Sequence, residues 1–325
     1  MTPPEPEALD AARLLGGRAR RMRHLWVVGL ALYVGFIWYI GWRRIGDALA
    51  GLDVRVLAAL MAVEAWGLWT RALKWRLILG AGREPYRLFF LSKAAGGWSP
   101  GRVGELAPLL LRRHRTPRMA AWIIVDRLLE MAATLVLGLL GLFWLHEPQH
   151  GMALTALAAL GVLVVAPVLV LTRRGLFAWL GGRFKEGGLL ERGCTALALV
   201  SDEVRALAKR ILAVSAMTVL ATCIDIVVGM LLYRSFGFYV GFALIATVQC
   251  AHGIASAVPI TPNATGVPYL VAAGLLYTLG GIPKEVLAAA VGVRAVAVNI
   301  VFWSSLGASL VGPRGSGADR QEERP

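Results

Sequence analysis

Glu64, Asp126, Arg127, Glu130, Asp225 and Arg294 each carry a charge inside a stretch of otherwise apolar sequence. A charged side chain at the centre of a bilayer costs about 2.5–3.5 kcal/mol on insertion scales, so it needs a counter-charge or a wet cavity. Such groups do one of two things. They hold a bundle together as buried ion pairs, or they line a path for an ion or a polar headgroup. Asp126 and Glu130 are four apart on one helical face and Arg127 precedes Glu130 by three, a spacing that lets the cluster neutralise itself. Glu64 and Asp225 lie deeper in their apolar runs and are expected to be the better buried. Asn299, a little beyond Arg294 on the same run, fits a helix–helix contact.

A duplicated pattern surrounds these charges. Ser99-Pro100-Gly101-Arg102-Val103-Gly104 and Thr261-Pro262-Asn263-Ala264-Thr265-Gly266 both read [Ser/Thr]-Pro-[Gly/Asn]-x-x-Gly, one in each half of the chain. Glu64 and Asp225 precede the two prolines at nearly equal spacing, and so do Arg71 and Arg234. Arg127 and Arg294 follow them in the same order. Proline stops an incoming helix, and Gly or Asn accepts the unusual backbone angles of a turn. The helix leaving the turn begins with free N–H groups and a positive dipole end, which suits a phosphate or carboxylate. Arg102 stands in the first turn of that outgoing helix and Glu105 one turn along. The plainer alternative is a pair of structural helix breaks with a capping pair. Corresponding breaks in two halves are the pattern of transporter-like folds, whose sites lie at the breaks.

The elements that must position these residues are membrane helices. The chain is 57% hydrophobic and 17% charged, with apolar runs of bilayer-spanning length. The fold class expected is all-α and polytopic, with about six spanning helices and two re-entrant helical hairpins in an inverted repeat. The spans fall at about 25–42, 56–79, 119–145, 152–172, 211–236 and 285–310. The hairpins comprise 86–97 with 103–111, and 241–258 with 267–281. The arm 241–258 is long enough to cross alone, which leaves an eight-helix count as the alternative. A basic tail (1–24) precedes a single transmembrane domain (25–312), with repeat halves at about 56–145 and 211–310. A basic linker (173–210) and a final tail (313–325) complete the organisation.

Charge sets the orientation. The formal net charge is +14, and it gathers at segment ends, among them Arg112, Arg113, Arg115, Arg118, Arg173 and Arg174. The positive-inside rule then places both termini and the 173–210 linker in the cytoplasm, with Arg43 and Arg44 as the one awkward pair outside. No aromatic-and-basic recognition pattern accompanies the charge, so nucleic acid is not an expected partner; anionic lipid headgroups are. Cys194, Cys223 and Cys250 form no CxxC and no even set, and free thiols are expected.

Enzyme motifs fare poorly. His146-Glu147-Pro148-Gln149-His150 matches HExxH, but Pro148 breaks the helix that the zinc geometry needs, and no third ligand is evident. P-loop, GxSxG and GxGxxG patterns are all missing. The expectation is a non-enzyme without cofactor or metal. His252, beside the second turn, fits either a satisfied structural residue or a titrating or substrate-binding one.

Three segments also carry a family resemblance: Arg71-Ala72-Leu73-Lys74-Trp75-Arg76-Leu77, Ser99-Pro100-Gly101-Arg102-Val103-Gly104-Glu105, and Asp126-Arg127-Leu128-Leu129-Glu130. Together they resemble the lysylphosphatidylglycerol synthase/flippase transmembrane family, over about 25–312. The resemblance implies paired re-entrant helices and movement of anionic, aminoacylated or glycosylated lipids between leaflets. It departs in three places. Asp126-Arg127-x-x-Glu130 swaps the acids of the family's Glu-Arg-x-x-Asp. Asn263, Ala264, Pro268 and Tyr269 stand where the second hairpin usually has its glycines and a following glutamate. Only a short tail follows the last span, so an aminoacyltransferase domain is not expected, nor is lipid synthesis.

The expected function is thus a lipid flippase of a prokaryotic inner membrane, a genome type suggested only by Ala, Gly, Arg and Leu usage. Its substrate-binding set would be Gly101, Arg102, Gly104, Glu105, Glu64, Asp126, Arg127, Glu130, Asp225, Asn263 and Arg294. The alternative is a non-transporting subunit that binds or presents lipid to a lipid-modifying partner enzyme, with 173–210 as docking surface. Homo-oligomerisation stays open.

Overall fold

The computed structural model describes residues 41–80, 82–97, 103–111, 116–145, 211–256 and 267–311, with isolated positions at 35–39 and 179–210. The elements are helical: α1 (Trp42–Ala50), α2 (Val54–Leu79), α3 (Glu84–Gly97), a 3-10 segment (Val103–Leu110), α4 (Pro117–Leu145), α5 (Ile211–Arg234), α6 (Phe242–Ser256), α7 (Val267–Gly280) and α8 (Lys284–Val311). Four of them, α2, α4, α5 and α8, are long and apolar enough to cross a membrane. The expected spans at 25–42 and 152–172, the HExxH segment and both Pro-turn tips lie outside the described residues.

Local chemistry sets the element ends. Asp53 caps α2, its carboxylate accepting from Arg55 N–H at 2.8 Å and Val56 N–H at 3.3 Å. Gly80 ends the same helix at φ +113°, where a side chain would be strained, and its N–H donates to the Arg76 carbonyl. At 14 and 15 residues, α3 and α6 reach only about 21–22 Å, short of a roughly 30 Å hydrocarbon core. The outgoing piece 103–110 is 3-10 rather than α-helical, with Pro108 inside it. Short 3-10 pieces of this kind are common as connectors between helices.

The sequence reading of 43–55 as a loop is corrected. Residues Trp42–Ala50 form a helix whose buried Ile45 packs with Ala288 and Ala289 of α8. Arg44, one of the awkward external pair, lies 3.5 Å from Glu285.

Two antiparallel pairs frame the molecule. Along α2 and α5 the contacts descend in one direction and rise in the other. Asp53 N–H donates to Ser235 O at 2.7 Å, Gly67 meets Ile224, Lys74 Nζ reaches Thr218 Oγ1, and Arg210 reaches the Leu77 carbonyl. The second pair is α4 with α6, where Gly253 nears Thr134, Gly138 faces Cys250 and Gly141 faces the Ala243 carbonyl. The Thr247 hydroxyl donates to the Gly138 carbonyl at 3.3 Å. Small residues let these backbones approach, as is common between membrane helices. One aromatic cluster, with edge contacts Trp75–Trp122 and Trp75–Phe89, fills the first half, and a second apolar core joins α5, α6, α7 and α8. Trp66, Leu140, Val296 and Ile300 point outward and give an apolar exterior.

A Cβ at Gly138 would collide with the Cβ of Cys250, whereas one at Gly274 meets nothing within 4 Å. Gly138→Val should therefore cost about 1–3 kcal/mol and lower the melting temperature of the detergent-solubilised protein. Gly274→Val should leave it nearly unchanged. Equal melting of the two variants would refute the α4–α6 contact.

Candidate functional site

The first half holds one connected charge network. Lys74 of α2 is 1% exposed and binds Asp126 of α4, which is 3% exposed. Lys74 Nζ also lies 3.6 Å from Glu130 and donates to Thr218 Oγ1 at 3.3 Å, while Trp75 Nε1–H donates to Asp126 Oδ2 at 3.1 Å. Arg71 bonds Asp225 of α5 and lies 3.7 Å from Glu130. From α3, Lys93 reaches Glu130 at 3.4 Å and Glu105 at 3.9 Å. Arg127 closes the ring, bonding Glu105 of the 3-10 segment and Glu130 Oε2 at 2.6 Å. Four cations (Arg71, Lys74, Lys93, Arg127) thus meet four carboxylates (Glu105, Asp126, Glu130, Asp225), and the network is neutral. It ties five elements together. Ser92 Oγ–H donates to the Glu105 carbonyl at 2.9 Å, and Gly96 leaves room for the Glu105 side chain, so α3 and the 3-10 segment are clamped face to face.

Several expectations change here. Asp126, ranked below Glu64 and Asp225 for burial, is the most deeply buried of the three, and the Asp225 side chain keeps 25% exposure. The 126–130 cluster neutralises itself only in part: Arg127 serves Glu130, but Asp126 depends on Lys74 from another helix. Glu105 pairs with Arg127. Arg234, set opposite Arg71 by spacing, lies instead at the α5 end, its guanidinium 5.2 Å over the Tyr239 ring. Asn299 is exposed and donates to the Ala295 carbonyl of its own helix at 2.7 Å. Gly104 sits half-buried in the 3-10 segment. Gly101, Arg102 and Asn263 lie outside the described residues. Lys74 and Lys93 were missing from the predicted set. A signal existed: Arg71 and Lys74, three apart on one face, match the Asp126/Glu130 stripe in reverse sign.

The second half is built differently. Between α5, α6, α7 and α8 lies a cavity of about 70 Å³, whose polar lining is Tyr233, Gln249, His252, Tyr269 and Arg294, with apolar walls such as Leu276 and Ala290. The His252 and Tyr269 rings meet edge to face at 5.2 Å. Gln249 Nε2–H donates to the Asp225 carbonyl at 2.8 Å, which links the cavity wall to the network's edge. Glu64 is within electrostatic reach of Arg294, Asp225 and Arg71. No group of three or more metal-ligating side chains occurs among the described residues.

Comparison with known proteins returns one family. The model described as the lysylphosphatidylglycerol synthase TM region matches residues 26–304. No curated protein and no solved structure matches the chain.

Removing one partner of a buried pair leaves an uncompensated charge, at a cost of about 3–5 kcal/mol. Lys74→Met should accordingly unfold well below wild type in a detergent melt. Lys74→Met combined with Asp126→Asn should recover much of the loss. A double variant no better than the single one would show that the two residues are not coupled.

Proposed function

This chain belongs to the lysylphosphatidylglycerol synthase transmembrane family, and from that premise we propose that it moves lipids with polar headgroups between leaflets. It is a multi-pass membrane protein, and its family ties it to membrane lipids. The observation that carries the reading is the cavity between α5, α6, α7 and α8, because a pocket presenting Tyr233, Gln249, His252, Tyr269 and Arg294 inside apolar helices has no use in holding them together. The headgroup would enter this pocket while the acyl chains remain in lipid.

Two features of the geometry support the rest of the reading. Helices α3 and α6 are too short to span, and each packs on another short piece, the 3-10 segment for α3 and α7 for α6. We take them as the arms of two re-entrant hairpins with Ser99–Arg102 and Pro259–Gly266 at the tips. Antiparallel α2 and α5 occupy corresponding places in the two halves, as an inverted repeat requires. Rocking of one half against the other would expose the cavity to either leaflet without nucleotide energy. The chain would act as a translocase and not as an enzyme, in a prokaryotic inner membrane with both termini cytoplasmic.

Proteoliposomes carrying fluorescent lipids test this directly. Exchange between leaflets should exceed that of empty vesicles. Ala273→Phe, which fills the cavity, should slow it at least tenfold, as should Arg102→Ala and Glu64→Ala. Folded protein that exchanges none of the anionic, zwitterionic or aminoacylated lipids would overturn the transport reading in favour of a lipid-binding accessory subunit.

A further inference from the structure

The two halves differ in how they treat their arginines. In the first, every one of the four cations in the network has a carboxylate within ion-pair distance. In the second, Arg294 makes no ion pair and no hydrogen bond among the described residues. Glu64 and Asp225 act on it only at longer range, Asp225 is already bound by Arg71, and neither lines the cavity. The difference begins in the sequence. Glu105 follows the first Pro-turn and pairs with Arg127, whereas 267–284, following the second turn, contains no Asp or Glu.

A guanidinium held among apolar helices without a contacting carboxylate calls for an anion from elsewhere. The cavity supplies the place. Its lining has one obligate cation and no carboxylate, and around Arg294 stand the hydroxyls of Tyr233 and Tyr269, the His252 ring and the Gln249 amide. These groups suit an oxyanion: the planar guanidinium offers paired donors to two oxygens, and tyrosine hydroxyls donate to a third. The volume agrees. About 70 Å³ holds roughly five water-sized positions at 10–15 Å³ each. That suits a phosphate group or a headgroup carboxylate, and excludes a whole lipid.

We infer that Arg294 and the polar lining of this cavity form a binding site for a phosphate-type oxyanion, so that the protein selects anionic or phosphate-terminated ligands over cationic aminoacylated ones. The inference names the substrate class for the cavity in the proposed function and rests on that reading only for the idea that the ligand then moves. A lipid phosphate and free inorganic phosphate share the chemistry, and the experiment separates them.

The purified protein in a non-ionic detergent is titrated with dihexanoylphosphatidic acid, dihexanoylphosphatidylcholine and inorganic phosphate, with binding read by thermophoresis. Phosphatidic acid should bind at least tenfold more tightly than phosphatidylcholine. Arg294→Gln should weaken phosphatidic acid binding at least tenfold and phosphatidylcholine binding by much less. Gln249→Glu, which puts a carboxylate in the same lining, should cause the same loss, and it serves if Arg294→Gln does not fold. Inorganic phosphate binding as tightly as phosphatidic acid would assign a free oxyanion, and weaker binding a lipid headgroup; both support the site. Phosphatidic acid affinity unchanged in Arg294→Gln, or in Gln249→Glu where that variant alone folds, would overturn it. Exchange in proteoliposomes with Arg294-independent binding would defeat this inference alone. Arg294-dependent binding without exchange would defeat the transport reading alone.

Discussion

The Lys74–Asp126 pair is the constraint on which the first half depends. Two opposite charges, both nearly inaccessible, join helices that are far apart in sequence. In a low-dielectric interior neither charge is tolerable without the other. Their position therefore dictates how α2 and α4 must face each other. Lys74 also touches Thr218, so α5 is drawn into the same register, and Arg71 repeats the link one turn earlier through Asp225. The aromatic cluster of Trp75, Phe89 and Trp122 then packs around charges whose geometry is already set. Apolar packing alone would allow these helices to slide, since lipid is as apolar as leucine. The ion pairs do not.

The backbone imposes the second constraint. Helices that stop within the apolar zone leave polar groups that only protein or water can satisfy. The first half answers with side chains: Ser92 donates to a carbonyl of the 3-10 segment, and Arg127 and Lys93 reach the Glu105 carboxylate beside it. Its charged groups join α3, the 3-10 segment and α4 as well as the longer helices. The second half, with fewer charges, holds a cavity lined in part by Tyr233, Gln249, His252, Tyr269 and Arg294.

Much of this was legible in the sequence, for physical reasons. Hydrophobic run length and Pro or Gly punctuation located α2, α4, α5 and α8 to within a few positions, because in a membrane those are the same constraints that end helices. The short arms were legible for the same reason. The helix α1 was not, since Arg43, Arg44 and Asp47 follow the expected span 25–42 as a charged stretch, and packing of Ile45 on α8 and the Arg44–Glu285 contact hold the helix in place. Partner choice was also hidden. Spacing within one helix suggests that Asp126, Arg127 and Glu130 neutralise each other, yet the cation nearest Asp126 is Lys74, from a helix distant in the chain. A one-dimensional pattern shows which residues need partners and not which helix supplies them. The family assignment was the most legible feature, because its motifs are the very residues that the network fixes: Arg71, Lys74, Glu105, Asp126, Arg127 and Glu130.

The duplicated sequence pattern does not fix the surroundings of its matching residues. Arg127 and Arg294 occupy matching places, yet one is bonded to two carboxylates and the other faces a cavity. A neutral network has already satisfied its charges and gains little from a ligand, whereas a cation left open gains its counter-charge only when one arrives. Binding free energy is available where a protein leaves an interaction incomplete, and the lining around Arg294 holds no carboxylate. The hydrogen bond from Gln249 to the Asp225 carbonyl passes between that lining and the network.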